Sequence, residues 1–473
     1  MTRTAFVEGV VLTMDVAGTV IPDGTVLVQD RRIVAVGGAE VDVTGAEVVD
    51  CSGTLVLPGF VNAHTHVSQT LLRGGPGHSR TLYDWLINVV IPGLAAYTEA
   101  DLRLAVRLYC AEATRAGITT VIANEEPVAE TPERAVRTVL DAFVRSGMRT
   151  RYCWMFRDQV PEAIADERGV HSACGLPAST GELDAIFEGI QRLGAEYRSM
   201  SDGLIDVWPS PATTAVVSAT GLRRSAELAE QVTGTWTLHL AEIPLEEQLH
   251  GVSPVRHLDE LGLLSDRLLA AHCVHVDSND IRALARARCG VVTNPVSNCF
   301  LGSGVAPVIE MAAAGVRLGL GTDDANSNDS VNPLSDMKTL ALIQRGTRQD
   351  PVGLDPETVV RASTAGGAQA AGLTDVGVLG PGRAADLQVI SLDEPQLVPL
   401  HDPYAALVFQ AYGNEVRDVM VDGRFTLRNR TLTAEPDLRA LCRAAAEASA
   451  HILHRAGIPA TRRVTARRLL PER

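Results

Sequence analysis

Apolar and polar positions alternate along residues 1–57, as they do in strands that bury one face and expose the other. The alternation predicts four short strands, FVEGVVLTMD, TVLVQD, RRIVAVGG and AEVVDCSGTLVL, and a turn at Pro22-Asp23-Gly24. This first part of the chain is therefore predicted to be an antiparallel β segment.

From Leu55 the pattern changes to apolar strands that alternate with amphipathic helices. Eight such strands are predicted, each followed by a helix: LVLPGFVNAHTH, ITTVIAN, RTRYCWMF, GLIDVWPSP, TWTLHLAE, LLAAHCVHV, GVVTNPVSN and VRLGLGTDD. Eight strand–helix units in succession are typical of the α/β class, and specifically of a (β/α)8 TIM-like barrel. A doubly wound open sheet is the alternative.

After a helical stretch at 356–372 the alternation returns in VGVLGPGRAADLQVI, LVFQAYG and VRDVMVDGRFTLRNR, which are predicted to be strands. Because each end of the chain has too few strands to bury a core alone, residues 1–57 and 375–432 are expected to pair in a small composite β-sandwich. The catalytic barrel then occupies residues 58–374, and residues 433–473 are predicted to form a C-terminal helix and a tail.

The composition points to a globular protein and speaks against two classes of partner. Its 42 Lys and Arg residues against 57 Asp and Glu residues give a formal net charge of −15, which disfavours nucleic acid. No apolar run reaches the roughly 18 residues that span a bilayer, and the first residues carry no leader, so we expect a cytoplasmic protein without a membrane partner. The one basic cluster is expected to be a solvated end or an oligomer contact: Arg462, Arg463, Arg467 and Arg468. Eight cysteines without a CxxC pair favour reduced thiols.

Histidines and carboxylates follow several predicted strands, at the end where barrel enzymes place their functional side chains. The strands concerned end in His64-Thr65-His66, His239-Leu240-Ala241-Glu242, His272 and Asp323-Asp324. The first two imidazoles point the same way, because residues i and i+2 of a strand share a face. Three imidazoles and one carboxylate suit a borderline divalent ion such as zinc or ferrous iron and leave a position for water. The sequence therefore predicts a metal site.

Longer motifs surround these positions: LPGFVNAHTHVSQTLLRGG, TLHLAE, LLAAHCVHV, NPVSNCFLGSGVAPV and LGTDDANSNDSVN. In them the chain resembles the metal-dependent amidohydrolase superfamily, and most of all its aminohydrolase branch, which deaminates purines, pyrimidines and triazines. The segments YDWLINVV and RLYCAEA resemble those of the triazine-processing members. The resemblance covers nearly the whole chain and implies a barrel flanked by a composite β-sandwich, a single catalytic metal and a homo-oligomer, a dimer or higher.

The resemblance also implies roles for particular residues. It gives four ligands to one divalent ion per subunit, zinc or else ferrous iron: His64, His66, His239 and Asp323. Glu242 then moves a proton from the attacking water to a ring nitrogen of the substrate, which makes the adjacent carbon electrophilic. His272 is expected to orient that water and to steady the tetrahedral intermediate, and Asp323 can also accept a proton from the water.

The chain has a single lysine, Lys338, among its 42 basic residues. Binuclear members of the superfamily, such as cyclic-amide hydrolases, share a bridging carboxylated lysine at the end of a middle strand. Lys338 is instead predicted to lie in the helix after strand eight, so a binuclear metal site is disfavoured. The zinc deaminases of another fold are also disfavoured, since their HxE and PCxxC patterns are absent from the sequence. A binding protein without catalysis would lack a ligand or an acid–base residue, and every such position is filled.

The pocket is expected to hold a flat heterocycle as the small-molecule substrate. Gln69 lies one turn beyond the histidine pair and can offer its amide to ring nitrogens. By the resemblance, Leu82, Trp85 and Met155 match apolar positions of the pocket wall, although Trp85 equally fits an ordinary core aromatic. Asn298 fits either a turn or an amide that organises the ligand.

A second carboxylate, Asp324, stands beside Asp323 and bears on the leaving group. An amine must be protonated before it leaves, whereas chloride leaves unaided, so Asp324 favours deamination. The chloride-displacing members of the family have a neutral amide at this place. Asp324 also fits a cap of the following segment, and Ser327 fits the triazine group without separating the two reactions.

We therefore expect hydrolytic deamination of an amino-substituted N-heterocycle, with release of ammonia. The candidates are an aminopyrimidine such as isocytosine or cytosine, an s-triazine such as melamine, and guanine. Dechlorination of a chloro-s-triazine is the nearest alternative reaction.

Overall fold

The computed structural model describes residues 2–74, 77–127, 131–159 and 182–459. The strands within these ranges lie, in chain order, at β1 (Arg3–Leu12), β2 (Val20–Gln29), β3 (Arg32–Gly37), β4 (Glu47–Asp50), β5 (Thr54–Pro58), β6 (Phe60–His66), β7 (Ile118–Glu125), β8 (Arg149–Phe156), β9 (Ile205–Pro211), β10 (Trp236–Leu240), β11 (Leu268–His272), β12 (Gly290–Thr293), β13 (Arg317–Leu320), β14 (Asp323–Asp324), β15 (Leu387–Ser391), β16 (Val416–Val421), β17 (Arg424–Arg428) and β18 (Thr431–Leu432).

The α-helices of the same ranges are α1 (Leu82–Trp85), α2 (Ile91–Ala95), α3 (Glu99–Arg115), α4 (Pro132–Ser146), α5 (Leu183–Met200), α6 (Ala219–Leu228), α7 (Leu245–His250), α8 (Pro254–Glu260), α9 (Ser278–Arg286), α10 (Pro295–Phe300), α11 (Val308–Ala313), α12 (Pro333–Arg348), α13 (Pro356–Ala362), α14 (Ala365–Ala370), α15 (Pro403–Ala405) and α16 (Leu438–Arg455). Short 3-10 or π turns lie at Val67–Leu72, Leu86–Val90, Ala229–Thr233, Pro395–Leu397 and Ala406–Gln410. All eight predicted strand–helix units are present, so the α/β class is confirmed.

Both ends of the chain contribute to one nine-stranded sheet, in the order β18-β17-β16-β15-β5-β1-β2-β3, with β4 paired to β1. The two ends meet where β15 runs antiparallel to β5, with Val389 opposite Val56. Both of these valines are fully buried in a core shared by the two ends. The expected pairing of the chain ends is confirmed, whereas the closure of the sheet into a sandwich and the domain limits stay predictions.

The segment Pro22-Asp23-Gly24 is not a turn, contrary to the prediction, but part of β2. A register shift between β1 and β2 lies there, next to the pair that Gly24 forms with Gly9. Proline fits this place because an irregular position in the ladder does not need its missing N–H. The chain reverses instead around residues 16–17, before β2 begins.

The predicted strand LVFQAYG is also wrong, because most of this segment is helical. Asp402 accepts the N–H groups of Tyr404 and Ala405 (2.9 and 3.2 Å) and so caps α15, which continues into the turn Ala406–Gln410. A short apolar run does not by itself distinguish a strand from a buried helix. The Asp-Pro start, a cap followed by proline in the first turn, favours the helix here.

The strands that follow residue 58 form two parallel sheets, in the orders β10-β11-β12-β13 and β14-β6-β7-β8-β9. The edges of the two sheets meet where Thr213, just after β9, forms a parallel bridge with His239 of β10. In the second sheet Asp324 of β14 is level with His66 of β6. The carboxyl ends of strands from both sheets therefore lie together, and the predicted metal ligands as well as Glu242 and His272 lie at or just after strand ends of the two sheets.

A buried ion cluster joins β8 to the nine-stranded sheet. The guanidinium of Arg149 donates to both carboxylate oxygens of Asp386 (2.7 and 2.9 Å) and to Asp422 (3.3 Å). The side chains of Arg149 and Asp386 are 8% and 1% exposed. Because charges this deep are costly without a partner, the cluster depends on all of its members.

Replacing Arg149 by alanine is expected to lower the free energy of unfolding by about 3–5 kcal/mol, since Asp386 would keep a buried charge without its partner. Arg428→Ala is the matched control. It removes a pair with Glu47 whose side chains are 30% and 58% exposed, and such surface pairs contribute about 0–1 kcal/mol. Urea denaturation of both variants measures the difference, and equal losses would contradict the role of the cluster.

None of the helices within the described ranges is both long and apolar enough to cross a membrane. The seven cysteines in those ranges carry free thiols, and five of them are buried. The predicted C-terminal helix is present as α16. Cys174 and the arginine-rich tail lie outside the described residues. Cytoplasmic location and homo-oligomer formation stay predictions.

Candidate functional site

A cavity with an empty volume of about 900 Å³, its open mouth included, lies at the carboxyl ends of the parallel strands. Ten of the predicted site residues line the cavity: His66, Gln69, Leu82, Trp85, Met155, His239, Glu242, His272, Asp323 and Asp324. His64 is fully buried beside them.

Four of the predicted metal ligands bring their donor atoms together. Oδ1 of Asp323 lies 3.3 Å from Nε2 of His64 and 3.4 Å from Nε2 of His66. Nε2 of His66 in turn lies 3.2 Å from Nε2 of His239. Donor atoms at the corners of a tetrahedron around an ion, with bonds of about 2.0–2.1 Å, are separated by about 3.3–3.4 Å. The three distances are close to this spacing. The donor atoms form two overlapping groups that can hold a divalent ion, His64, His66 and Asp323 in one and His64, His239 and His272 in the other.

The hydrogen bonds of the histidines also fit an ion. Nε2 of His64 is buried without a partner in hydrogen-bonding geometry, which is costly for a polar atom unless a ligand or ion contacts it. Nδ1 of His239 lies 2.8 Å from the carbonyl oxygen of Ala212. Since a carbonyl only accepts, the proton is on Nδ1, and Nε2 presents its lone pair to the cluster.

The protonation states agree with these contacts. Burial lowers the pKa of His64 and of His66 to about 4 and that of His239 to about 3. All three imidazoles are therefore neutral at neutral pH, which is the form in which histidine binds a metal.

Glu242 and His272 face each other beside this cluster. Oε2 of Glu242 lies 3.7 Å from Nε2 of His272, and Oε1 accepts a hydrogen bond from the hydroxyl of Ser303 (3.3 Å). Burial raises the pKa of Glu242. For His272 burial acts in the lowering direction, but the carboxylates of Glu242 and Asp323 outweigh it and raise the pKa. A carboxyl and an imidazole with raised pKa values in one cavity are typical of proton transfer.

A chain of hydroxyls connects the two adjacent carboxyls. Ser297 donates to Oδ2 of Asp323 (2.7 Å), Ser327 lies 2.7 Å from Ser297, and Oδ2 of Asp324 lies 2.7 Å from Ser327. These three contacts need three protons, and the two serines supply two. The third fits Asp324, because burial and the charge of Asp323 raise its pKa well above the ordinary value.

The remaining predicted pocket residues form the wall opposite the histidines. Gln69 is 5% exposed, and its Oε1 has no hydrogen-bond partner. Trp85 lines the cavity and is 3% exposed, which fits a pocket wall and a core aromatic alike, and its contact with substrate stays a prediction. One segment supplies much of the apolar lining, to which Met155, Val216 and Leu301 add from other elements: Leu82, Trp85, Leu86, Val90, Ile91 and Leu94.

Asn298 and Ser327 are not among the residues that line the cavity. Oδ1 of Asn298 lies 2.8 Å from Nδ1 of His272, and Ser327 contacts Asp324 as described above. A direct contact of either residue with substrate stays a prediction. Lys338 lies on α12, with Nζ 5.8 Å from the centre of the Tyr412 ring. Its place in the helix after the eighth strand, predicted from the sequence, is confirmed.

Sequence reasoning missed several residues of the site. Asn124 lies 3.0 Å from Nδ1 of His64, and Glu125 accepts the N–H groups of Val67 and Ser68 directly after His66. Both stand at the end of the predicted strand ITTVIAN, so polar residues after an apolar run could have indicated them. Ser297 stands near the end of the predicted segment GVVTNPVSN in the same way, whereas Glu246 and Ser303 had no such signal and owe their place to the folded chain.

Comparison with known proteins gives consistent matches over most of the chain. The model of the amidohydrolase family matches residues 55–426. An S-triazine hydrolase of Gordonia rubripertincta is 36% identical, with 98% of each chain covered. A 5-methylthioadenosine/S-adenosylhomocysteine deaminase of Syntrophobacter fumaroxidans is 34% identical over 90% of this chain and 93% of its own. The structure of an adenosine deaminase of Xanthomonas campestris with bound zinc has a TM-score of 0.86 and 28% identity, with 96% of this chain and 99% of that chain covered.

Proposed function

This chain belongs to the amidohydrolase family and is a hydrolase, and we propose that it deaminates an amino-substituted N-heterocycle with release of ammonia. The sequence resemblance to the family is thereby confirmed. One observation carries the proposal: Glu242, His272 and the carboxyl pair Asp323-Asp324 line one cavity together with a histidine cluster that fits a divalent ion.

The amidohydrolase family is metal-dependent, and the residues that would hold the ion here are His64, His66, His239 and Asp323. A bound divalent ion, zinc in the first place and ferrous iron as the alternative, lowers the pKa of an attacking water towards neutrality. One ion per subunit is proposed, because the described residues place no lysine beside the cluster and the chain's only lysine lies on α12.

The acid–base steps are assigned to Glu242, His272 and the carboxyl pair Asp323-Asp324. Glu242 takes a proton from the water and gives it to a ring nitrogen, for which its raised pKa is suited. His272, held at Nδ1 by Asn298, directs Nε2 towards Glu242 and Asp323 and so orients the water and steadies the tetrahedral intermediate. Asp323 accepts the second proton of the water, and Asp324, connected to it through Ser297 and Ser327, gives a proton to the departing amine. The two protons of the water thus end on the ring nitrogen and on ammonia.

The cavity wall supports a flat substrate with an apolar part. The apolar wall gives a surface on which a ring can stack. Oε1 of Gln69, which has no hydrogen-bond partner, can accept a hydrogen bond from an exocyclic amine. Aminotriazines such as melamine and aminopyrimidines such as isocytosine or cytosine carry such amines, and the two deaminases among the relatives support the same reaction type.

We also infer that the two parallel sheets close into one (β/α)8 barrel over residues 58–374, with the nine-stranded sheet as part of a composite β-sandwich. The bridge between Thr213 and His239 and the pairing of β14 with β6 support the closure. Hydrogen exchange tests it. The amide of His239, which donates to the carbonyl of Ala212 (3.0 Å), is expected to be protected as strongly as those inside β11, and fast exchange there would contradict closure.

The proposed reaction is tested by screening ammonia release over aminotriazines, aminopyrimidines and aminopurines, with metal content measured on the same sample. Each aminotriazine is paired with its chloro analogue. We expect ammonia from at least one amino substrate and a lower turnover of its chloro partner. Chloride release without ammonia release from any substrate would contradict deamination and favour a dechlorinating hydrolase.

Replacing Asp324 by asparagine is expected to depress deamination more than dechlorination of a matched chloro substrate. Asparagine keeps the shape of the side chain but cannot supply a proton to the leaving amine, whereas chloride needs none. General acid catalysis contributes about 10²–10⁴-fold, so the ratio of the two rates is expected to fall by about 10²-fold. Equal losses on both substrates would remove Asp324 from the leaving-group step.

A further inference from the structure

The turn that carries Glu242 has an unfavourable backbone. Ala241, which precedes Glu242, has a φ of +51°, and alanine in this left-handed region costs about 1–2 kcal/mol. A conformation of this kind persists only where neighbouring groups hold it. The direction of the Glu242 side chain depends on this turn, since it links the end of β10 to the cavity.

A second buried carboxylate holds the turn. Oε2 of Glu246 accepts the N–H of Ala241 (3.1 Å), and Oε1 accepts the N–H of Glu242 (2.8 Å). Glu246 is 2% exposed and lies in the first turn of α7. Both of its oxygens are therefore used on two consecutive peptide groups of the strained turn.

The same turn contacts the loop after His272. The carbonyl of Ala241 accepts the N–H groups of Val274 and His275 (3.0 and 2.9 Å). The segments that carry the two proposed proton-transfer residues are thus joined through one peptide, and Glu246 holds that peptide from its N–H side.

We infer that Glu246 is a positioning residue for the hydrolysis, which acts by fixing the peptide groups of Ala241 and Glu242 and thereby the carboxyl of Glu242. The inference rests on the proposed function, because it takes Glu242 as the proton-transferring group. A displacement of about 1 Å of such a group costs about 10²-fold in rate.

The test is Glu246→Gln, in which the amide can accept one N–H but opposes the other with its own NH₂ group. We expect kcat to fall about 10²-fold, with KM within about threefold of the wild type and the metal content unchanged. Glu247→Gln is the matched control, since Glu247 is an exposed glutamate on the same helix and its variant should keep the wild-type kcat. A kcat for Glu246→Gln equal to that of the control would overturn the inference.

A double variant separates positioning from a direct role. If Glu246 acts through Glu242, adding Glu246→Gln to Glu242→Gln should cause no further loss of kcat. A further loss of about 10²-fold would mean that Glu246 acts independently and would overturn the inference. If Glu246→Gln does not fold, Glu246→Asp, which keeps the charge but is too short to reach both N–H groups, is expected to show the same pattern, and full activity of that variant would overturn it. Full activity of Glu242→Gln alone would instead contradict the proposed function.

Discussion

Replacing His239 by alanine is expected to abolish ammonia release and to lower the metal content of the purified protein. Nε2 of His239 is one of the four donor atoms of the cluster, 3.2 Å from Nε2 of His66. Its ring is fixed by the contact of Nδ1 with the carbonyl oxygen of Ala212, which directs Nε2 at the cluster. With one donor fewer, the site is expected to bind the ion more weakly.

Two further variants frame this prediction. Asp323→Asn removes the charge of the carboxylate ligand and should likewise abolish activity and lower metal content. His451→Ala, an exposed histidine on α16, is the control and should keep both. Full activity of His239→Ala or of Asp323→Asn in a metal-replete preparation would contradict the ligand assignment.

Replacing Glu242 by glutamine is expected to lower kcat by about 10²–10⁴-fold while the metal content stays unchanged. The amide has the shape of the carboxyl and can still accept a hydrogen bond from the hydroxyl of Ser303, but it cannot act as a base towards water. Steady-state ammonia release and metal analysis of the same sample separate this loss from loss of the ion. A variant with wild-type kcat, or one that has lost its metal, would show that Glu242 is not the proton-transferring group.

Most of the metal cluster could be predicted from the sequence, because its ligands lie at or near the ends of strands. His64 and His66 are two residues apart on one strand, His239 and His272 lie in the last residues of β10 and β11, and Asp323 opens the short strand β14 after β13. Strand ends can be found from apolar runs, and parallel strands bring their ends together. The register that places Asp324 level with His66 agrees with this rule.

Contacts between segments distant in the chain could not be predicted from apolar runs and strand ends. Ser297 reaches Asp323 from α10, and Glu246 turns back onto the peptide groups of Ala241 and Glu242. No periodicity marks such contacts, since they depend on where the loops lie after folding. Asn298 shows the limit well: the residue fitted a turn or an organising amide, and its contact with His272 is visible only in the structure.

Local errors had a different origin. The run LVFQAYG is apolar enough for either a strand or a buried helix, and the cap by Asp402, outside the run, decided between them. Pro22-Asp23-Gly24 has the composition of a turn but lies at an irregular position inside β2. In both places the residues fit two structures, and the neighbouring chain selects one.

We propose that the protein is a hydrolytic deaminase that works with one divalent ion per chain. Its most direct test is the titration of metal-depleted protein with zinc while ammonia release from an accepted amino substrate is measured. We predict that activity rises in proportion to added zinc up to one equivalent per chain and then stays constant. Activity that needs two equivalents, or that is unchanged by removal of the metal, would contradict the account.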